Sequence, residues 1–297
     1  MMRRVRPRVH VTDPVPAEVQ AALADHFELV PSPVGADGVL ATLVRRVDAA
    51  FLERAGPGLR IVANYAVGVN NIDLAAARRR GIVVANTPDV LTRATAELAV
   101  GLMLALLRRI VEGDRLVRRR DPWEFSLEFM LGSSLEAKAL LVVGPGRIGR
   151  EVARLAEAFG ARPSFAGRGD DLRALLAGAD VVSLHVPLTP ETTHLIGTAE
   201  LRAMRPSAIL VNTARGPVVD ERALVQALSD GALGGAALDV FEREPEVEEG
   251  LLGRDDVVLT PHLGSATRSA RVGMGMLCVD ALRAVLLEGR RPANAVV

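Results

Sequence analysis

Short apolar runs alternate along this chain with stretches whose apolar residues fall three and four apart. Runs bounded by glycine, asparagine or aspartate read as buried strands, and the wider spacing reads as amphipathic helix. In the first third, strands are expected at residues 9–12, 38–44, 59–65 and 82–86. Helices are expected between them. Pro16 opens one that runs to His26, with Asp13 as its cap. Others cover 47–54 and 74–80, the latter capped by Asp73 and stopped by Gly81. A long helix from Thr95 to about Arg109 follows and can cross from one domain to the next. Residues 112–135 are less periodic and hold the only tryptophan, Trp123. A sharper alternation begins at 139–143, with further strands at 163–166, 181–186, 208–212, 235–240 and 257–259. Helices at 150–159, 172–176, 199–204 and 221–229 lie between them, and a last helix covers 270–288. Strand and helix in alternation predict an α/β protein with parallel sheets.

Composition narrows the function classes. The chain has 297 residues, enough for about two domains, and 49% of them are hydrophobic. Basic and acidic residues balance at 36 each, so no net positive field favours nucleic acid. The single cysteine, Cys278, excludes an internal disulfide and a cysteine-rich metal site, and no metal is expected. The basic stretch from Met1 to Arg8 lacks a following apolar region, so no signal peptide is expected. The longest apolar stretch, 98–107, is interrupted by Gly101 and is too short to span a bilayer. A cytoplasmic protein without a membrane or nucleic-acid partner is the expectation.

Candidate chemistry starts at Gly144-Pro145-Gly146-Arg147-Ile148-Gly149, which fits G-x-G-x-x-G. The pattern is weak alone. Here an apolar strand enters it and a helix leaves it, the context that dinucleotide binding requires. Gly144 permits the turn, Gly146 lets backbone approach a pyrophosphate, and Gly149 lets helix pack on strand. Backbone amides of Arg147 and Ile148 at the helix start face the phosphates. A tight turn without ligand is the alternative. Three later segments each follow a buried strand: Asn212-Thr213-Ala214-Arg215-Gly216, Asp239-Val240-Phe241-Glu242-Arg243-Glu244-Pro245, and Pro261-His262-Leu263-Gly264. Ligands of open α/β sheets bind beyond the carboxyl ends of the strands. An arginine, a carboxylate and a histidine therefore reach one crevice. Glu242 and Glu244 compete for the acidic place.

With these segments the chain resembles the D-isomer-specific 2-hydroxyacid dehydrogenase family, most closely its glyoxylate and hydroxypyruvate reductases. The resemblance runs through Asn64-Tyr65-Ala66-Val67-Gly68-Val69-Asn70-Asn71-Ile72-Asp73, Asn86-Thr87-Pro88-Asp89, the glycine turn, His185-Val186-Pro187-Leu188-Thr189 and the three strand ends. It implies a Rossmann doubly wound domain plus a flavodoxin-like substrate domain. The boundaries expected are 1–96 with 286–297 for the substrate domain and 97–285 for the dinucleotide-binding domain, with a cleft that closes on its ligands. It implies hydride transfer between NADP(H) or NAD(H) and a small 2-oxoacid. The chemistry suits the residues. His262 can donate a proton to the carbonyl oxygen. Glu244, selected over Glu242 by the proline after it, can hold the imidazole. Arg215 can bind the substrate carboxylate and polarise the carbonyl. The resemblance adds the Val67 and Gly68 amides as carboxylate donors and Asp239 as the residue that orients the nicotinamide. It makes Thr95, His185, Pro187, Thr192, Thr213, Ala214 and Gly264 further cofactor contacts.

The family's ribose-binding acid falls at Gly167 here, followed by Arg168. A missing carboxylate and an added guanidinium favour the 2′-phosphate of NADP. The alternative is NAD, with Asp170 or Asp171 on the ribose, although both look placed to cap the helix after them. Ala137, Leu141, Pro145 and Asn70 depart from common family residues without removing a catalytic group. Residues 123–131 are this chain's own. In the family that region reaches toward a partner subunit, and a homodimer is implied. An NAD-dependent dehydrogenase of another 2-hydroxyacid and a cofactor-sensing binding protein of the same fold are the competing readings. His10, His26 and His194 have no setting in the sequence that suggests more than structural or surface roles.

Overall fold

The computed structural model describes residues 6–297, so the N-terminal leader reading falls partly outside the described residues. The chain divides into two compact units: residues up to Leu91 with Ala266–Val297, and Thr92–Ser265. Both are α/β with wholly parallel sheets.

The first unit contains β1 (Arg8–Val11), α1 (Ala17–His26), β2 (Glu28–Val30), β3 (Gly38–Thr42), α2 (Ala49–Ala55), β4 (Ile61–Tyr65), α3 (Leu74–Arg79) and β5 (Val83–Ala85). The sheet order is β2-β1-β3-β4-β5. β4 lies inside the sheet and is buried at every position, which explains its unbroken apolar run around Asn64. Asp73 caps α3 as the sequence predicts, accepting from the Ala76 amide at 2.8 Å. Asp13 does not cap α1, which starts without a side-chain cap. It receives the Thr12 and Thr42 hydroxyls and the Arg45 guanidinium instead. Burial would raise the Asp13 carboxyl, but those donors hold it at about 2.

The second unit contains α4 (Thr92–Leu107), α5 (Ile110–Arg119), β6 (Ala139–Val143), α6 (Arg147–Glu157), β7 (Arg162–Ala166), α7 (Leu172–Leu176), β8 (Val181–Leu184), α8 (Thr198–Ala203), β9 (Ile209–Asn212), α9 (Glu221–Ser229), β10 (Gly235–Leu238) and β11 (Val257–Leu259). Its sheet order is β11-β10-β9-β8-β6-β7. Successive side chains of β6 point to opposite faces. Leu141 and Val143 join one core with Leu210 and Leu238, and Leu140 and Val142 join the other with residues of α4 and α6. The helix expected to cross between domains opens this unit instead, packing on α6 and on β9–β11.

The last helix, α10 (Arg268–Leu286), corrects the expected boundary. The return to the first unit begins at Ala266, not at 286. α10 packs on β4, α1 and β3 over much of its length. Gly275 makes this possible: a Cβ there would sit 2.3 Å from Val19 Cγ2 and 2.6 Å from the Tyr65 hydroxyl. Among the described residues, no helix is long and apolar enough to cross a membrane.

Candidate active site

β9, β10 and β11 are hydrogen-bonded neighbours, and each delivers one residue just beyond its carboxyl end. Arg215 follows β9, Glu244 follows β10 and His262 follows β11. His262 Nδ1 lies 2.9 Å from Glu244 Oε2. Glu244 Oε1 accepts from the Phe241 amide at 3.0 Å, so both carboxylate oxygens are engaged. Burial would raise the Glu244 carboxyl. The His262 hydrogen bond and charge, the Phe241 amide and the Arg215 charge outweigh it and hold the group below its usual range. Arg215 is half-buried, and its Nη1 donates to the Ala214 carbonyl at 2.6 Å. Burial draws its pKa down and the Glu244 charge opposes that. With Nδ1 of His262 fixed, Nε2 is the ring atom left for proton transfer.

His262 has φ +55°, an uncommon conformation for a non-glycine residue. Asp239 explains how it is held. Its backbone carbonyl accepts the His262 amide at 2.9 Å. Its buried carboxylate accepts the Thr260 hydroxyl at 2.6 Å, the Leu263 amide at 2.6 Å and the Gly264 amide at 2.8 Å. Asp239 thus builds the turn that carries the histidine, beside the role expected toward nicotinamide. Thr95 completes the turn by donating to the Gly264 carbonyl at 3.0 Å.

The glycine turn fits a dinucleotide. Gly144 has φ +99°, and a Cβ on it would lie 2.7 Å from the His185 carbonyl oxygen. A Cβ on Gly149 would lie 2.3 Å from the Gly144 carbonyl oxygen. A Cβ on Gly146 would meet nothing within 4 Å, so the space before it is open to a ligand. Gly146 caps α6 without a side-chain bond, leaving Arg147 and Ile148 in a first turn whose amides have no intrahelical acceptor. Thr213, at the end of β9, is buried with its hydroxyl unpartnered, as a ligand-binding group would be. His185 hydrogen-bonds Ser183 at 2.8 Å, and burial lowers its imidazole to about 4, so it is neutral at neutral pH. Thr192 donates to the Pro187 carbonyl at 2.6 Å and closes the loop after β8. Ala214 is tied to Asn212 Oδ1 through its amide. Gly167 and Arg168 are exposed at the end of β7. Asp171 caps α7, as expected, but Asp170 accepts from the Gly167 amide at 2.7 Å. Val67 and Gly68 lie half-buried in the loop after β4 of the first unit.

Sequence reasoning missed three supporting residues. A Cβ on Gly216 would fall 1.9 Å from the Phe241 carbonyl carbon, so only glycine fits beside the segment that carries Glu244. Buried Glu221 accepts the Glu242 amide at 2.8 Å and steadies the same segment. His194 pairs with Glu242. Gly216 directly after Arg215 was the available signal for the first; the other two depend on contacts distant in sequence.

The D-isomer specific 2-hydroxyacid dehydrogenase, NAD binding domain, matches residues 100–264. A glyoxylate reductase of Thermococcus litoralis is 47% identical over 279 residues, covering 88% of this chain and 83% of the relative. A solved protein of Thermus thermophilus superposes with TM-score 0.91 at 43% identity, over 98% of this chain and 100% of its own. An NADPH-dependent glyoxylate/hydroxypyruvate reductase of Sinorhizobium meliloti, crystallised with NADP and malonate, gives TM-score 0.87 at 34% identity over 98% and 97%. Fold, glycine turn and these likenesses agree: the chain belongs to the D-isomer specific 2-hydroxyacid dehydrogenase family of NAD(P)-binding oxidoreductases.

Proposed function

We propose that the protein is an NADPH-linked reductase of a small 2-oxoacid, glyoxylate or hydroxypyruvate. The observation that carries the reading is Arg215, Glu244 and His262 at three neighbouring strand ends, with His262 Nδ1 2.9 Å from Glu244. The cofactor supplies the hydride. His262 delivers a proton from Nε2 to the oxygen that gains negative charge. Glu244 fixes the ring through its other nitrogen. Arg215 is assigned to the substrate and polarises the carbonyl; the family resemblance assigns the Val67 and Gly68 amides to a carboxylate.

Arg168 beside the bare Gly167 supports NADP over NAD. One observation favours the opposite: Asp170 brings a carboxylate to within 2.7 Å of the Gly167 amide, where a ribose hydroxyl can meet it. Parallel assays with NADPH and NADH decide. Turnover of glyoxylate with NADPH, weakened about 10- to 100-fold in KM for NADPH by Arg168→Ala, is the expected outcome. Turnover with NADH alone rejects the Arg168 assignment and keeps the family. Tight cofactor binding without turnover of any 2-oxoacid favours a cofactor-sensing protein.

A homodimer belongs to the same reading. Phe125 is 77% exposed and Leu127 87%, near exposed Trp123 and Leu131. Trp123 stacks on Phe129 with ring centroids 6.0 Å apart. α5 buries no residue although Ile110 and Val117 are apolar. Exposed apolar side chains along this segment support the reading. Light scattering after gel filtration should give twice the chain mass of 31.5 kDa.

A further inference from the structure

Three consecutive carbonyls of the loop after β4 are each held by a hydrogen-bond donor. The Thr87 amide donates to the Ala66 carbonyl at 3.0 Å. Asn86 Nδ2 donates to the Val67 carbonyl at 2.8 Å, and Asn64 Nδ2 donates to the Gly68 carbonyl at 2.8 Å. The donors come from the ends of two paired strands, β4 and β5. A trans peptide points its N–H opposite to its C=O. The N–H groups of Val67, Gly68 and Val69 belong to those same three peptides. Each therefore faces away from the donor that holds its carbonyl. Amides turned away from the donors of their own loop are available to an anion on the opposite side.

The donors are themselves fixed. Asn64 is fully buried, and its Oδ1 accepts Asn71 Nδ2 at 3.0 Å. Asn71 Nδ2 also reaches the Thr42 and Arg45 carbonyls, which only an NH₂ can do. That sets the orientation of Asn64, oxygen toward Asn71 and nitrogen toward Gly68. Asn86 is clamped through its backbone by Asn294. Its amide donates to the Asn294 carbonyl at 3.1 Å, and its carbonyl accepts Asn294 Nδ2 at 2.6 Å.

We propose that Asn64 and Asn86 are positioning residues that hold the Val67, Gly68 and Val69 amides as a three-donor cradle for the substrate carboxylate. This rests on the reaction proposed above, which assigns Val67 and Gly68. It adds the Val69 amide and the two side chains that aim the set. Because backbone does the binding, recognition is of the carboxylate common to small 2-oxoacids and not of their third carbon.

Asn86→Asp and Asn64→Asp keep the shape and turn a donor into an oxygen that faces a carbonyl. The full-length protein is assayed for glyoxylate reduction, NADPH affinity by nicotinamide fluorescence, and thermal midpoint. The expected result is a KM for glyoxylate raised about 10- to 100-fold, with kcat within about threefold and NADPH affinity unchanged. An unchanged KM in a folded Asn86→Asp protein overturns the proposal. So does a loss of kcat alone, the mark of a merely structural role. If buried Asn64→Asp fails to fold, half-buried Asn86→Asp carries the test. Should the unsubstituted enzyme reduce no 2-oxoacid, the reaction reading fails by itself, and oxalate as an unreactive dicarboxylate tests the cradle. An oxalate-induced rise in melting temperature that Asn86→Asp abolishes supports it. An equal rise in both proteins, or none in the unsubstituted one, overturns it.

Discussion

Two glutamates two positions apart each hold a histidine, and only one pair has the setting for chemistry. Glu244 holds His262, and Glu242 holds His194. The backbones look alike, with φ +55° at His262 and +51° at His194. The surroundings differ. His262 stands beyond a strand end, its carboxylate partner is fixed by the Phe241 amide, and Arg215 adds its charge. His194 precedes α8, its amide is tied to the Pro217 carbonyl, and its other ring nitrogen faces Asp220 at 4.0 Å. Its side chain is 48% exposed against 26% for His262. The carboxylates run the other way, Glu242 at 22% against 33% for Glu244, so exposure alone does not separate the pairs. A histidine beside a carboxylate is therefore no sign of catalysis by itself; its place at the sheet's carboxyl edge beside an arginine is.

The largest test of that contrast replaces each histidine. His262→Ala should lower kcat for 2-oxoacid reduction by about 10²- to 10⁴-fold, the range for a positioned acid–base group, with cofactor affinity retained. His194→Ala should leave kcat within about twofold. Equal losses would make the two pairs equivalent and break the comparison.

Both pairs hang on the segment from Phe241 to Glu244, which Gly216 and Glu221 pin. Gly216→Ala forces a methyl against backbone that lies 1.9 Å from its ideal position. The segment must move, and a displacement near 1 Å at a catalytic group costs about 10²-fold in rate. The expected outcome is that loss in kcat with a lower melting temperature. A variant that melts lower but turns over normally would show that Glu244 keeps its place without this clamp.

Acid sharpens the contrast further. The folded Glu244 carboxyl lies below its ordinary value of 4.5, so in acid the unfolded chain takes up that proton first. The contribution to stability is complete above the unfolded value and is lost as pH falls through the lowered folded one. Glu244→Gln should therefore melt below the unsubstituted protein at about pH 7, and the gap should narrow as pH drops below about 4. Glu242→Gln, whose carboxylate has neither the Phe241 amide nor the Arg215 charge beside it, should melt close to the unsubstituted protein at about pH 7. Equal gaps for the two variants would contradict the difference in their surroundings.

Much of this site is written in local sequence. β6 is read to its observed ends because Gly144 stops an apolar run, whereas Glu244 is told from Glu242 only by the family resemblance, which places the acid before a proline. What escapes reading depends on distant contacts. The His194–Glu242 pair spans 48 positions. β2 has three residues, too few for a period to show. α5 buries no residue fully, and its tie to the core through partly buried Val111 is a contact distant in sequence. α10 is readable as a helix, but its membership in the first unit follows from Gly275 meeting Val19 and Tyr65. Asn64 and Asn86 look like ordinary strand-end residues until their carbonyl partners are seen.

The smallest expected effect separates backbone geometry from proton transfer. Asparagine tolerates the left-handed region better than most residues. His194→Asn keeps the backbone and leaves an NH₂ that can still donate to Glu242. Its stability should change by no more than about 0.5 kcal/mol, and turnover should stay level. The same replacement at His262 keeps the turn that Asp239 builds, because that turn is held through the backbone amides of residues 262 to 264 and the Thr260 hydroxyl. His262→Asn should therefore fold and bind cofactor yet fail to transfer the proton, since an amide does not titrate near neutrality. Melting curves and kcat measured on both proteins give four numbers. Two similar melting temperatures with one silent enzyme leave the difference in chemistry alone. A drop in turnover at His194→Asn would instead mean that the surface pair steadies Glu242, and through it Glu244, so that the two pairs work as one.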